Sequence, residues 1–395
     1  MTVNSQQSTG AITLGGYADL YKWRSTANTT GLRAMIKPYV RKRLISRRDL
    51  LYTLYGFASF ATLVGCGANA GSGNKNTISN NNNTIASNSG SNNSKPKLIR
   101  LGFTSFGDLT REKGVIEKRL APLGVDVSWS KFISGPPLLE ALSVGSLDGG
   151  QVGETPPIFA QAAGNNLVYL VNIPAGTGES YGIIVPKDSS IKTVADLKGK
   201  KVAYARGTAL TYFLAKALEE VGLKFNDVQG VNLTVADGQA AFLNKTVDAY
   251  VAIDPTLIKL QQEGTIRVLR DAQGIKTPGS FYLAAREFAS SNLELFKAIL
   301  EEYYQVGEWA NQNRQAAAQI LAPKLKVDVP TMETMLSRRK YDMQPINEQV
   351  LRDQQQVADL LYQLKIVPKQ VDVREATLTS EQYAAIIPDS IRNKA

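Results

Sequence analysis

The chain has 395 residues, of which 45 are Lys or Arg and 35 are Asp or Glu, so its formal charge is +10. It contains one cysteine and no histidine, which excludes an internal disulfide and removes the commonest general base, the imidazole ligands of zinc and the His-dependent nucleophiles. Residues 1–65 hold nine basic and two acidic residues, which leaves a net charge of only three for the rest of the chain. Because that charge is spread along the sequence, we expect no nucleic-acid partner.

The first feature in chain order is an export signal in residues 1–65. Its basic segment ends at Arg47 and Arg48, its apolar segment covers residues 50–65, and small residues close it, which is the three-part pattern of a cleaved signal. The apolar segment is too short for a bilayer span, which needs about 20 apolar residues. A chain that began at Met35 would have a basic segment of ordinary length, so Met35 is a candidate true start.

Two short motifs indicate how the protein would be exported and anchored to the membrane. "LVGC" at residues 63–66 resembles a bacterial lipobox, which implies that Cys66 is lipidated and becomes the first residue of the mature protein. "SRRDLL" at residues 46–51 resembles a twin-arginine signal, and the alternative is an ordinary basic segment. Residues 67–95 contain mainly Gly, Ser, Asn and Thr, so we expect residues 66–96 to form a lipid-bearing, disordered tether to the periplasmic face of the membrane.

Strand-like and helical segments alternate from residue 97 onward, which predicts βαβ units, a mainly parallel sheet and an α/β fold. The predicted strands are residues 97–104, 125–132, 149–154, 167–174, 179–188, 201–207, 231–237 and 247–254, and the predicted helices are residues 114–124, 136–145, 155–164, 208–222 and 238–244. The last third is helical, with apolar residues at helical spacing that we expect to face the core. These core residues are Leu293, Phe296, Leu300, Tyr303, Val350, Val357, Leu361 and Leu364.

Two successive α/β sets followed by a helical return predict two lobes. We expect lobe one to contain residues 97–184 and 284–395 and lobe two to contain residues 185–283, with crossing strands near 182–186 and 281–285. Ligands of open α/β sheets bind outside the carboxyl ends of the strands, so two facing lobes would form a cleft.

Three junctions between a strand and a helix could contact an anion in that cleft, because backbone N–H groups and the helix dipole favour negative charge there. Each junction taken alone is also compatible with ordinary turn chemistry. Their residues are Ser105, Phe106 and Gly107; Glu154, Thr155 and Pro156; and Gly207 and Thr208.

Several segments resemble the aliphatic sulfonate-binding proteins of ABC transporters. They include "KRLAPLGVDVSW", "GPPLLEALSVGSLDGGQVGETPPIFAQAAG" and "VPKDSSIKTVADLKGKKVA", and the similarity covers nearly all of residues 97–375. The resemblance implies a type II periplasmic-binding-protein fold and a receptor that closes on an anionic organosulfonate and delivers it to a membrane permease and its ATPase. It also implies a monomer without catalysis or a cofactor. We expect Thr155 and Thr208 to donate hydroxyl groups to the sulfonate.

The chain departs from this family at two positions in the expected cleft wall. Ile253 replaces a Trp that often precedes Asp-Pro, and Thr211 replaces a His, so the preferred tail of the ligand is open. Asp254 could bind an amine of a zwitterionic ligand or cap the following helix, and Asp237 has the same two interpretations. Arg338 and its neighbour Arg339 could form a solvated helix face, a salt bridge between the lobes or a ligand contact.

Other functions remain compatible with the same pattern. The chain could be a receptor for nitrate or for a thiamine-precursor pyrimidine, or a sensor that passes its signal to a membrane partner. An enzyme related to pyrimidine synthases is a further alternative, although that chemistry leans on histidine, which this chain lacks.

Overall fold

The computed structural model describes residues 96–104 and 108–393. The strands are β1 (Leu98–Thr104), β2 (Asp126–Phe132), β3 (Gly149–Gly153), β4 (Leu167–Ile173), β5 (Tyr181–Pro186), β6 (Lys201–Tyr204), β7 (Gln229–Asn232), β8 (Ala249–Ile253), β9 (Ile266–Asp271), β10 (Ser280–Ala285) and β11 (Gln344–Pro345). The α-helices are α1 (Leu109–Lys113), α2 (Val115–Leu120), α3 (Gly135–Ser143), α4 (Thr155–Ala162), α5 (Ala209–Glu219), α6 (Val235–Leu243), α7 (Thr256–Gln262), α8 (Arg286–Ser291), α9 (Leu293–Gln312), α10 (Arg314–Leu325), α11 (Val329–Ser337), α12 (Glu348–Gln363), α13 (Ser380–Ile386) and α14 (Asp389–Arg392). Short 3₁₀ turns occupy Ala121–Leu123, Val194–Leu197, Phe225–Asp227 and Val373–Ala376.

These strands form two sheets, which confirms the predicted two-lobed α/β architecture. The sheet of lobe one has the order β11-β4-β10-β3-β1-β2, and the sheet of lobe two has the order β7-β6-β8-β5-β9. Each sheet packs against its own helices. In lobe one, Ile99 and Val171 of the sheet share a buried cluster with Phe296 of α9, and in lobe two, Val202 and Val251 share one with Phe213 of α5, among other residues.

The prediction of mainly parallel sheets is wrong in one respect. β1 runs parallel to β2 and β3, and β6 runs parallel to β7 and β8. However, β10 lies antiparallel between β3 and β4, and β5 lies antiparallel between β8 and β9. Each of these strands follows a crossing from the other lobe and runs opposite to both of its neighbours in the sheet.

The crossings lie a few residues before the predicted positions. Residues 182–186 belong to β5 in the sheet of lobe two, and residues 281–285 belong to β10 in the sheet of lobe one. The chain therefore passes between the sheets in residues 174–180 and 272–279. The crossings were predicted too late in the chain because β5 and β10 are continuous apolar runs. Such a run is compatible both with a strand that joins two lobes and with a strand inside a sheet.

One helix also begins earlier than predicted. A strand was expected over residues 231–237, whereas β7 ends at Asn232 and α6 begins at Val235. Thr234 explains the early start, because its hydroxyl oxygen accepts a hydrogen bond from the N–H of Asp237 at 3.1 Å and so caps the helix. The predicted core residues of α9 and α12 are confirmed, since they are buried or pack against the buried clusters.

The two crossings pack tightly against each other and against the residue that follows α11. The N–H of Thr177 donates to the carbonyl of Arg338 at 3.0 Å, and the N–H of Ala272 donates to the carbonyl of Gly178 at 3.1 Å. Gly176 fits here because a Cβ atom would collide with the Arg338 carbonyl oxygen. None of the helices in residues 96–104 and 108–393 has the length and hydropathy that a bilayer crossing requires.

Candidate functional site

A cleft of about 340 Å³ lies between the two lobes and is lined by residues of both. Its walls include the starts of α3, α4 and α5, both crossings and the segment that follows α11. Ligand pockets of this size are typical of small-molecule sites, and they occur preferentially where two lobes meet. The cleft is therefore the candidate functional site.

Three helices of at least eight residues direct their N-termini into this cleft. α3 and α4 belong to lobe one and α5 to lobe two, and their starts lie in contact. A Cβ atom on Gly135 would lie 2.5 Å from Pro156, one on Gly153 would lie 3.8 Å from the Cβ of Ala209, and one on Gly207 would lie 3.4 Å from Pro136. Three positive dipole ends thus converge on one small volume, which favours an anion there.

The hydroxyl groups of Thr155 and Thr208 are engaged within the protein. Thr155 is fully buried, and its Oγ1 donates to Oε1 of Glu154 at 3.1 Å. Thr208 lines the cleft and caps α5, since its Oγ1 donates to the carbonyl of Ala205 at 2.7 Å and accepts from the N–H of Leu210 at 3.3 Å. Both residues lie at the convergence of helix starts, and their role toward a ligand stays a prediction.

Thr211 and Gly207 support the start of α5 from behind the cleft wall. The Oγ1 of Thr211 accepts from the N–H of Gly207 at 3.0 Å and donates to the carbonyl of Ala205 at 3.2 Å. Gly207 has a φ of 77°, which a residue with a side chain rarely adopts. Neither residue is among those that line the cleft, whereas Ile253, the other predicted departure in the wall, does line it.

Asp254 forms a salt bridge between the lobes. Its two carboxylate oxygens lie 3.0 Å from Nη1 of Arg338, and its own side chain is 1% exposed. Burial raises the pKa of the Asp254 carboxyl, and the guanidinium of Arg338 offsets part of that increase. The alternative that Asp254 caps the next helix is wrong, because α7 has Pro255 at its N-cap position and no side-chain cap.

Asp237 lies in the first turn of α6, where its Oδ2 accepts from the hydroxyl of Thr234 at 2.8 Å. It is exposed and is not among the residues that line the cleft. Of its two interpretations, a role at the helix start is the one for which the structure provides contacts.

The basic segment at residues 338–340 reaches the cleft. Arg338, Arg339 and Lys340 all line the cavity. A salt bridge between the lobes was one of the three interpretations of Arg338, and the contact with Asp254 confirms it. Three consecutive basic residues were visible in the sequence, but nothing local indicated that they follow a helix end that packs against a crossing.

Two buried acids also line the cleft. Glu154 and Asp108 are 4% and 7% exposed. Burial raises the pKa of the Glu154 carboxyl to about 7 and that of Asp108 to about 6, because the charged form loses hydration. Asp108 also caps α1 by accepting from the N–H of Arg111 at 3.0 Å, and it accepts from the hydroxyl of Tyr303 at 3.0 Å.

Tyrosine side chains supply an apolar wall with polar edges. Tyr181, Tyr212, Tyr282 and Tyr303 line the cleft together with Phe213. Burial raises the pKa of Tyr212 to about 12, so its hydroxyl is neutral at physiological pH. The cleft thus combines an end that favours negative charge with aromatic surface that can contact a hydrocarbon or ring.

Some predicted positions lie outside the described residues. Ser105, Phe106 and Gly107 follow β1 directly and fall in the gap between residues 104 and 108. Cys66 and the export signal precede residue 96. Within the two described ranges, no cluster of three or more acidic, His or Cys side chains could hold a metal ion.

Known proteins resemble this chain in sequence. The family described as "NMT1/THI5 like" matches residues 150–317. The aliphatic sulfonates-binding protein of Escherichia coli (strain K12) is 40% identical over 286 residues, which are 71% of this chain and 89% of that protein.

Solved structures resemble the whole two-lobed body. The alkanesulfonate-binding protein SsuA from Xanthomonas axonopodis pv. citri, bound to MOPS, is 32% identical with a TM-score of 0.69 and covers 72% of this chain and 99% of that one. The periplasmic aliphatic sulphonate binding protein SsuA from Escherichia coli is 38% identical with a TM-score of 0.66 and covers 72% and 92%. These relatives are binding proteins, and their likeness confirms the predicted periplasmic-binding-protein fold. The chain therefore belongs to the family of aliphatic sulfonate-binding proteins.

Proposed function

We propose that this protein captures an aliphatic sulfonate in the cleft between its lobes and delivers it to the membrane permease of an ABC importer. The observation that carries the proposal is the convergence of three helix N-termini, from both lobes, on one cavity of about 340 Å³. An anion held by donors of both lobes favours the closed form, which is the form a permease would recognise.

A sulfonate suits these donors better than a titrating ligand does. Its head group stays charged at ordinary pH and offers three acceptor oxygens, so the dipoles and the free backbone N–H groups of these helix starts can hold it without a general base. The tyrosines of the wall would contact the tail. Because the chain lacks histidine and its relatives are binding proteins, we propose transport without catalysis or a cofactor, by a monomer.

Titration calorimetry with a panel of anions tests this function. The panel contains short and long alkanesulfonates, taurine, an aromatic sulfonate, nitrate and sulfate, and the buffers contain no sulfonate. We expect micromolar or tighter binding of at least one alkanesulfonate and much weaker binding of the two inorganic ions. Tighter binding of nitrate than of every sulfonate would contradict the proposed ligand class.

Thr208→Ala should lower the free energy of unfolding by about 1 kcal/mol and weaken sulfonate binding by about tenfold. The hydroxyl caps α5, so its removal loosens a helix start that lines the cleft. Thr208→Ser keeps the hydroxyl and serves as the matched control, and we expect it to restore both quantities. Urea denaturation and titration calorimetry measure the two effects. An alanine variant that binds sulfonate as the parent does would place the head group elsewhere.

We further propose that the protein is exported through the twin-arginine motif and anchored by lipid on Cys66. The support is the sequence pattern at residues 46–51 and 63–66. Such an anchor would keep the receptor beside its permease and support sulfur acquisition from sulfonates.

Cys66→Ser should release the protein from the membrane into the soluble periplasmic fraction, because the lipid would have no thiol to attach to. Its thermal midpoint and sulfonate affinity should match those of the parent, since the described body begins at residue 96. Fractionation followed by immunoblotting makes the measurement. Retention of Cys66→Ser in membranes after a high-salt wash would exclude the lipobox interpretation.

A further inference from the structure

Glu154 is a buried acid at the point where an anion is expected. It immediately precedes α4, lines the cleft and is 4% exposed. Its Oε1 accepts from the hydroxyl of Thr155 at 3.1 Å. A carboxylate in this position shares the positive end of the helix dipole with the ligand.

None of the salt bridges among the described residues includes this carboxylate, and burial is the largest influence on its pKa. The groups that face it are Tyr181 of β5 and Tyr212 of α5, which are both neutral because burial raises their pKa values. From α12, Gln354 donates its Nε2 to the Glu154 carbonyl at 2.7 Å and leaves the carboxylate untouched. Arg338 is paired with Asp254, and Arg339 and Lys340 also line the cleft.

An anion that enters the same cavity therefore meets a buried carboxylate that forms no salt bridge within the described residues. Two like charges a few ångströms apart repel strongly where water is excluded, and the repulsion disappears when the carboxyl group takes up a proton. A protonated carboxyl group also becomes a hydrogen-bond donor, which a sulfonate oxygen can accept. The carboxyl is prepared for this step, since burial already raises its pKa to about 7.

We propose that Glu154 is a specificity-determining residue that takes up one proton when a permanently charged alkanesulfonate binds and then donates a hydrogen bond to its head group. This inference rests on the proposed function, since it concerns the same ligand and cleft. The balance is simple: ligand and one proton from solvent enter together, and both leave together. The receptor consequently binds best in mildly acidic surroundings and releases its ligand as the pH rises.

Titration calorimetry with ethanesulfonate tests the coupling. At pH 7.5, binding measured in phosphate and in Tris, which differ in ionisation enthalpy, should report uptake of about three quarters of a proton, and at pH 6.0 close to none. The dissociation constant should be about thirtyfold larger at pH 8.5 than at pH 6.0. Glu154→Gln, which imitates the protonated form, should bind without proton uptake and with an affinity that does not change with pH. Glu140→Gln, an exposed acid of α3, is the matched control and should keep the parental pH dependence.

The outcomes separate the two proposals. Absence of sulfonate binding by the parent at every pH would contradict the proposed function. Binding with no proton uptake at pH 7.5, or with equal uptake in the parent and in Glu154→Gln, would overturn only the role of Glu154. The proton count of the parent decides the question even where the glutamine variant folds poorly.

Discussion

Replacing Asp254 with alanine should lower the free energy of unfolding by about 3 kcal/mol. The carboxylate is 1% exposed and the side chain of its partner Arg338 is 15% exposed, so truncation leaves a guanidinium with little hydration and no counter-charge. The same substitution removes a direct link between lobe two, where Asp254 follows β8, and the segment after α11. Urea denaturation, followed by circular dichroism, measures the loss.

A double-mutant cycle separates the pair from the burial of each residue. We expect the variant that combines Asp254→Ala with Arg338→Ala to lose less stability than the two single variants together, because it leaves neither charge unpaired. Glu348→Ala removes the acid of an exposed pair with Arg374 and should change stability much less. Additive losses in the cycle would mean that the 3.0 Å contact contributes no coupling.

The empty protein should lose stability as the pH rises from about 4.5 to 7, and Glu154 alone should account for about 3 kcal/mol of that loss. Its pKa in the folded protein is about 7, compared with an ordinary value of 4.5. Between these values the folded state holds a proton that the unfolded chain releases, so each increase in pH favours unfolding. Above pH 7 both states are deprotonated and the effect is complete. Asp108, with a pKa of about 6, should add to the slope.

Urea denaturation in citrate–phosphate buffer at pH 4.5, 5.5, 6.5 and 7.5 measures this dependence. The absence of histidine helps, because no imidazole titrates in the same range. Glu154→Gln should have a dependence that is smaller by about 3 kcal/mol, whereas Glu140→Gln should behave as the parent does. Stability that is constant or rises over this range would show that the carboxyl group is hydrated in the empty cleft.

The local parts of the fold could be predicted from the sequence. The alternation of short apolar runs and helical segments placed β1 to β4 and α3 to α5 within a few residues, because period and capping residues act over neighbouring positions. A strand was expected near residues 281–285, but the place of β10 between β3 and β4 could not be found in the same way. Its antiparallel insertion between β3 and β4 depends on a crossing that begins almost one hundred residues after β4 ends.

The candidate site was predicted only in part, because local features were visible in the sequence and long-range contacts were not. Glu154, Pro156 and Thr208 were identified because each lies at a recognisable helix start, and all three line the cleft. The pairing of Arg338 with Asp254 joins positions 84 residues apart, and no local pattern encodes it. The direction of the Thr208 hydroxyl was not predicted either, because a hydroxyl at a helix start can donate to a carbonyl of its own turn, as it does here to Ala205, or point into the cleft.

The insertion of β10 also determines the order in which the two lobes can fold during synthesis. All strands of lobe two come from the single continuous stretch 181–271, so this sheet can be completed while the last third of the chain is still being made. Synthesis of lobe one begins first, but its sheet is completed later. β10 can enter between β3 and β4 only after residue 285 has emerged from the ribosome. Until then β3 and β4 present unpaired edges, the part of a nascent chain most prone to intermolecular pairing. The N-terminal lobe is thus the later of the two to mature, and the period between its synthesis and its closure is when a chaperone would protect it most.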